Sequence, residues 1–156
     1  MHFRPIPATL IFFVLNFGAL GIGSALMGDG PMGDWYQGLN KAPWTPPGWV
    51  FGAAWTTIMI CFSIFMGAAW NTVKDRQRLA ILYGVQWILN VSWNPIFFHF
   101  QEMASGLVVI TLLTFLVWYF IFSYKRAMRN KMLLIAPYGV WLLIATTLNA
   151  YALWMN

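Results

Sequence analysis

Charge is scarce in this 156-residue chain, where nine basic and four acidic residues make up only 8% of the sequence. Soluble domains are about a quarter charged, and 60% of this chain is hydrophobic. A chain this apolar cannot cover its own surface against water, so we expect lipid to be its solvent. Cysteine is almost absent too: Cys61 stands alone, which excludes an intramolecular disulfide framework and a multi-cysteine metal site.

The uncharged stretches predict an all-α membrane protein, a single domain built as a bundle of five transmembrane helices. A spanning helix needs about 20 apolar residues, and five windows between charges are each long enough for one. Lipid offers the backbone no hydrogen bonds, so each window should be helical throughout. The predicted spans are about 5–27, 48–71, 79–99, 104–124 and 132–154, with 28–47 as a loop that folds over one mouth of the bundle as a lid. Thr45 is a candidate N-cap for the second span.

The loop charges predict the orientation. Five spans place the N-terminus and the second and fourth connections on one side, and that side holds eight of the nine basic residues. The positive-inside rule therefore predicts N-in and C-out. The net charge of +5 follows from this asymmetry, so we interpret it as topology and expect no nucleic-acid partner.

Polar and small residues recur at helical spacing in the third span. Gln86, Asn90 and Asn94 share one face, where they can form interhelical hydrogen bonds or orient a ligand. Ala80 and Gly84 form a small-xxx-small pair, which fits either packing within the bundle or a dimer face.

Ten tryptophans are more than a packed bundle requires. Trp55 and Trp141 fall inside their predicted spans, where an interfacial aromatic belt does not explain them. Flat rings beside a few polar groups would suit a large planar apolar ligand.

Catalytic arrangements are largely missing from the sequence. No acidic residue lies inside a predicted span, and no Ser-His-Asp, paired-carboxylate or metal-ligand set is evident. His2 is terminal, and His99 near a helix end fits an interfacial histidine better than a haem ligand. We expect no metal and no required cofactor.

Three motifs resemble the TspO/MBR family of tryptophan-rich sensory proteins, translocator proteins and peripheral-type benzodiazepine receptors. They are W-Y-x-x-L-N-K-A-P-W-T-P-P-G-W-V-F at 35–51, N-x-x-W-N-P-I-F-F at 90–98, and P-Y-x-x-W at 137–141 followed by T-L-N at 147–149. The resemblance covers essentially the whole chain, in order. It implies a homodimer with a ligand pocket under the first loop. Carried over by position, the ligand-binding residues would be Trp35, Tyr36, Pro46, Trp55, Asn90, Trp93, Trp141 and Ala145.

The resemblance implies porphyrins (protoporphyrin IX, haem), and also sterols and benzodiazepine-type compounds, as ligands of a receptor or sensor. High-affinity cholesterol binding in the fifth helix is not expected, because no basic residue follows Tyr151. Two alternatives stay open. One is an enzyme for light- and oxygen-dependent porphyrin degradation, in which Trp55 and Trp141 would be catalytic. The other is a transporter of porphyrin, sterol or lipid. We expect a multi-pass protein of the bacterial cell membrane, with the outer membrane as an alternative.

Overall fold

The computed structural model describes residues 7–156, and these form helices and connecting turns with no strand. Arg4, His2 and the first two residues of the predicted first span lie outside the described residues. The long helices are α1 (Ala8–Leu26), α3 (Gly48–Thr72), α4 (Arg76–Asn94), α5 (Met103–Met128) and α6 (Ala136–Met155), and the short helix α2 covers Asp34–Gln37. Three segments are long and apolar enough to cross a membrane by length and composition: Ala8–Met32, Gly48–Thr72 and Met103–Leu134.

The long helices pack side by side around one aromatic core. Helix α1 packs between α3 and α4, and α5 packs between α4 and α6. Helices α3 and α6 complete the ring, but they meet less extensively than α1 meets α3 or α5 meets α6. Phe62 is fully buried, with its ring centroid 5.1 Å from that of Tyr138. The ring therefore has one loosely packed seam, between α3 and α6.

Helix ends follow local chemistry. The carboxylate of Asp75 caps α4 by accepting the backbone N–H of Arg78 at 2.9 Å. Proline cannot donate an α-helical hydrogen bond, and α4 ends at Asn94. The chain continues in a π-helical turn, Pro95–His99, which the N–H of Phe100 closes by donating to the carbonyl of Pro95 at 2.9 Å.

The predicted N-cap was wrong. Pro47 precedes the first residue of α3, and no side chain caps this helix. The hydroxyl of Thr45 instead donates to the carbonyl of Ala42 at 2.7 Å. The threonine closes a turn within the loop, since two prolines separate it from the helix.

The connection between α5 and α6 is itself helical. Arg129–Leu134 form a 3-10 segment, and this segment packs against α3, α5 and α6. Arg129 has φ 48° and ψ −117°, a left-handed conformation that residues other than glycine rarely adopt. This segment lies at the same end of the bundle as the connection between α3 and α4, because neighbouring helices run antiparallel.

Candidate functional site

The loop between α1 and α3 is held down on α6. The backbone N–H of Asn40 donates to Asn156 Oδ1 at 2.9 Å, and Asn156 Nδ2 donates back to the carbonyl of Asn40 at 3.2 Å. Farther along, Trp44 Nε1 donates to Thr147 Oγ1 at 3.1 Å. The ring of Trp44 also packs edge-on against Tyr151, with centroids 5.4 Å apart. These contacts fix the second half of the loop along the C-terminal half of α6.

The first half of the loop rests on the turn that follows α4. The rings of Trp35 and Tyr36 meet Phe97 edge-on, with centroids 5.6 Å and 6.4 Å away. Burial raises the pKa of the Tyr36 phenol above its ordinary value, because the charged form would lose solvation. The ammonium of Lys41 donates to the carbonyls of Tyr36 at 3.0 Å and Gln37 at 3.1 Å, which closes the end of α2. The loop thus spans from the α4 turn to α6.

Beneath the loop, an indole and an amide lock α4 to α6. Trp93 Nε1 donates to Asn149 Oδ1 at 3.0 Å, and Asn149 Nδ2 donates to the carbonyl of Met103 at 2.9 Å. Trp93 also stacks on Phe97, with centroids 5.1 Å apart and an interplanar angle of 16°. A side chain at Gly106 would come within 3.2 Å of both Asn149 and Phe97, so the close approach of α5 to α6 and to the turn after α4 depends on that glycine.

The three amides of α4 differ in their partners although they share a face. Gln86 Nε2 donates to the hydroxyl of Tyr138 at 2.5 Å, and Asn94 Nδ2 donates to the carbonyl of Asn90 at 3.3 Å. The side chain of Asn90 is 8% exposed and makes no hydrogen bond with the rest of residues 7–156. Asn90 is therefore the amide in this row with both polar atoms available to a ligand, while Gln86 Oε1 is buried and also has no partner.

Trp141 is buried with an unpaired hydrogen-bond donor. It is 7% exposed, and its indole N–H finds no acceptor in the described part of the chain. Its ring packs edge-on against Phe51 of α3, with centroids 5.5 Å apart, while Trp55 packs similarly against Tyr138 at 6.0 Å. An unpaired buried donor costs about 1–3 kcal/mol, so this N–H is a position where a ligand acceptor would gain binding energy.

A groove of about 380 Å³ opens at the seam between α3 and α6, and Trp141 lines it. The α3 wall includes the small side chains of Ala53 and Ala54, and Pro137 and Ile144 flank Trp141 on α6. The other seven predicted ligand-binding residues do not line this groove. Trp35, Tyr36 and Trp93 gather around Phe97, whereas Ala145 is buried in the core and Trp55 and Pro46 are half-buried.

Sequence reasoning missed a buried polar chain on the opposite side of the bundle. The Tyr83 hydroxyl donates to Asn16 Oδ1 at 2.7 Å, Asn16 Nδ2 donates to Ser63 Oγ at 2.9 Å, and Ser63 donates to the carbonyl of Met59 at 2.6 Å. Asn16 is the only amide side chain in α1, and this was the signal available in the sequence. These groups satisfy one another, so they join α1, α3 and α4 rather than await a ligand.

The predicted dimer face points away from the bundle. Ala80 is exposed, and a Cβ at Gly84 would meet nothing within 4 Å. Ile81 and Ile88 beside them are 59% and 63% exposed. The small pair is therefore not a contact between helices of one chain.

A bundle of apolar helices, capped by an aromatic loop and holding unpaired polar groups inside, defines a helical membrane protein. The sequence profile described as the TspO/MBR family matches residues 11–155. The chain belongs to the TspO/MBR family, as the motifs predicted.

Relatives from three organisms are similar to this chain over most of its length. The chain is 31% identical to Protein CrtK of Rhodobacter capsulatus over 150 residues, which cover 94% of this chain and 92% of that protein. It is 32% identical to the tryptophan-rich sensory protein of Cereibacter sphaeroides over 123 residues, 79% of this chain and 77% of the relative. It is 35% identical to the human translocator protein over 132 residues, 78% of this chain and 74% of the relative.

Proposed function

We propose that this protein is a receptor-like membrane protein that binds porphyrins, such as protoporphyrin IX or haem, and other flat apolar ligands beneath the loop. The observation that carries the proposal is the buried indole N–H of Trp141, which has no acceptor within residues 7–156 and lies beside an open groove. Asn90 adds a second polar group without a side-chain partner. Ring faces would hold a tetrapyrrole by burial, and the carboxylates at its periphery would meet these groups.

The seam between α3 and α6 is the natural place for such a ligand to enter. Its walls are aliphatic on α3 and partly aromatic on α6, and the two helices pack least there. Separating them breaks no hydrogen bond between Trp141 and its surroundings, because the indole N–H has none to lose. A flat molecule dissolved in the bilayer could therefore slide in between Ala53 or Ala54 and the indole ring.

The membrane arrangement is part of the proposal. We infer that all five long helices cross the bilayer, N-in and C-out, with the loop on the outer side. Helix α4 carries Gln86 and Asn90 and is less apolar than α5, but both amides face inward, where they are buried. The exposed Trp49 and Trp154 near the loop end suit an interfacial belt.

Porphyrin titration of the purified protein tests the pocket directly. Protoporphyrin IX should bind saturably, with a shift in its absorbance band, and Trp141→Phe should weaken binding at least fivefold. Trp154→Phe is the matched control, because Trp154 is 87% exposed at the far end of the same helix. Asn90→Ala should also weaken binding. Equal affinities for wild type, Trp141→Phe and Asn90→Ala would show that the ligand binds elsewhere.

Porphyrin degradation is the second candidate function, and one arrangement favours it. Trp55 contacts Tyr138, and Phe51 contacts Trp141, so oxidisable rings from α3 and α6 face each other across the seam. Under light and oxygen, the absorbance of bound protoporphyrin should then decay faster with wild type than with the Trp55→Phe, Trp141→Phe double variant. If the absorbance decays at the same rate with both proteins while both bind porphyrin equally, the protein binds porphyrin but does not degrade it.

We propose further that the protein is a homodimer through the outer face of α4. A bulky residue at Gly84 should block close approach of two helices, whereas one at Gly21, which also points to open space on α1, should not. Sedimentation in detergent should therefore give a monomer for Gly84→Trp and a dimer for wild type and Gly21→Trp. A dimer in all three places the interface on another face.

A further inference from the structure

A second groove lies at the opposite end of the bundle from the loop. It encloses about 430 Å³ between α5, α6 and the 3-10 segment, within the range of about 300–1,000 Å³ typical of small-ligand sites. Trp118 and Ile121 of α5 form one wall, Ala136 of α6 the other, and Leu133 and Arg129 the rim. The walls are apolar, and the groove opens sideways from the bundle.

The wall that α5 contributes to this groove is anchored to α6. Trp118 Nε1 donates to the carbonyl of Gly139 at 3.2 Å, which fixes the indole against the backbone of α6. A Cβ at Gly139 would come within 2.9 Å of Ile121 and 3.3 Å of Trp118, so the glycine lets both side chains lie flat on α6. A groove held open in this way can receive an aliphatic chain without rearrangement.

The rim carries positive charge. Arg129 and the neighbouring Lys125, Arg126 and Lys131 are all exposed. Arg129 sits directly after α5, at a position where helices commonly place glycine. Its φ of 48° and ψ of −117° are disfavoured for an arginine. Glycine would adopt this conformation without strain, so the arginine is explained by a function of its guanidinium at this position.

We propose that this groove binds an anionic phospholipid. One acyl chain would lie along Trp118 and Ile121, and the phosphate would meet the guanidinium of Arg129 with help from Lys131. The chemistry of the groove favours this occupant, because basic pockets next to apolar clefts at the charged end of a helical bundle complement acidic headgroups with attached chains. This groove and the proposed porphyrin pocket share only Val140 among their lining residues, and the lipid proposal does not depend on porphyrin binding.

Native mass spectrometry with defined lipids tests the proposal. Protein in detergent receives equal amounts of palmitoyl-oleoyl phosphatidylglycerol and phosphatidylcholine, which share chains and differ in charge. The wild type should retain phosphatidylglycerol at least fivefold more. Arg129→Gly should lose most of that preference while its melting temperature stays at or above that of wild type, because glycine relieves the backbone strain.

Two further variants distinguish a specific lipid site from an effect of general surface charge. Lys74→Gln removes one exposed positive charge at the same end but outside the groove, and it should keep the preference. Ala136→Leu fills the groove and should reduce phosphatidylglycerol binding. Position 136 is chosen because Val140 borders both grooves, whereas Ala136 borders only this one.

Three results would overturn the proposal. The first is equal retention of the two lipids by the wild type. The second is an equal loss in Arg129→Gly and Lys74→Gln, which would assign the preference to net charge. The third is equal affinity for soluble glycerol phosphate and for phosphatidylglycerol, which would show that the groove contributes nothing to binding.

Discussion

The double hydrogen bond between Asn40 and Asn156 should control how readily the loop opens. Replacing Asn156 by alanine removes both bonds, the 2.9 Å bond from the Asn40 N–H and the 3.2 Å bond to its carbonyl. Only the 3.3 Å bond from Asn40 Nδ2 to the carbonyl of Met155 remains at this point. The backbone N–H of Asn40 then has no partner and reports directly on the change.

The magnitude follows from the number and exposure of the bonds. A hydrogen bond contributes about 0.5–1.5 kcal/mol net, and exposed bonds fall in the lower half of that range. Two of them give about 1–2 kcal/mol of local stability, and every 1.4 kcal/mol is a factor of ten in an equilibrium constant. We expect amide exchange at Asn40 to become roughly 5- to 30-fold faster in Asn156→Ala, with little change in exchange of the buried helices.

Hydrogen exchange measured by mass spectrometry or NMR in the same detergent checks this expectation. Asn71→Ala is the matched control, because it removes a 3.0 Å amide bond to the carbonyl of Gly67 within α3, which ends at the opposite end of the bundle. If Asn40 exchanges equally fast in wild type and Asn156→Ala, the tether does not hold the loop. If the two variants accelerate it equally, the effect is global rather than local.

Two further predictions concern packing in the bundle. A Cβ at Gly67 would lie 2.6 Å from the backbone Cα of Thr9, so Gly67→Ala should separate α1 from α3 and cost about 1–3 kcal/mol of stability. The control Gly18→Ala should be neutral or slightly stabilising, because a Cβ there meets nothing within 4 Å. Thermal unfolding of both variants checks this prediction. Tyr83→Phe leaves Asn16 Oδ1 without its 2.7 Å donor and should destabilise the protein by about 1–3 kcal/mol, and a change below about 0.3 kcal/mol in denaturant unfolding would contradict that reasoning.

The long helices were predictable because the charges mark their ends. The windows 48–71 and 104–124 correspond to α3 (Gly48–Thr72) and to most of α5 (Met103–Met128). The extension of α5 past its predicted end was not predictable from charge, because Lys125 and Arg126 continue the helix beyond the apolar stretch. The 3-10 geometry of Arg129–Leu134 depends on packing against α3, which no local pattern in the sequence encodes.

The seam was also beyond sequence reasoning, since it depends on which helices become neighbours. The positions of small residues in the sequence do not distinguish Gly67, where a Cβ would meet Thr9, from Gly84, which faces open space. That distinction needs the positions of α1 and α4 in the ring. The family motifs nevertheless named Trp141, the one predicted ligand-binding residue that lines the seam groove.

The row of amides on α4 shows that equal spacing in the sequence does not determine which partner each side chain has in the fold. Gln86, Asn90 and Asn94 stand at identical helical spacing, and by sequence alone each could join helices or bind a ligand. In the folded chain the Gln86 amide nitrogen donates to Tyr138 while its Oε1 is buried without a partner, and Asn94 turns back onto its own helix. Within residues 7–156 the side chain of Asn90 makes no hydrogen bond, and Gln86 Oε1 and the Trp141 N–H are buried without a partner. A buried polar group that the protein leaves unpaired gains a hydrogen bond only when a ligand supplies one. A ligand can therefore gain specificity through such groups.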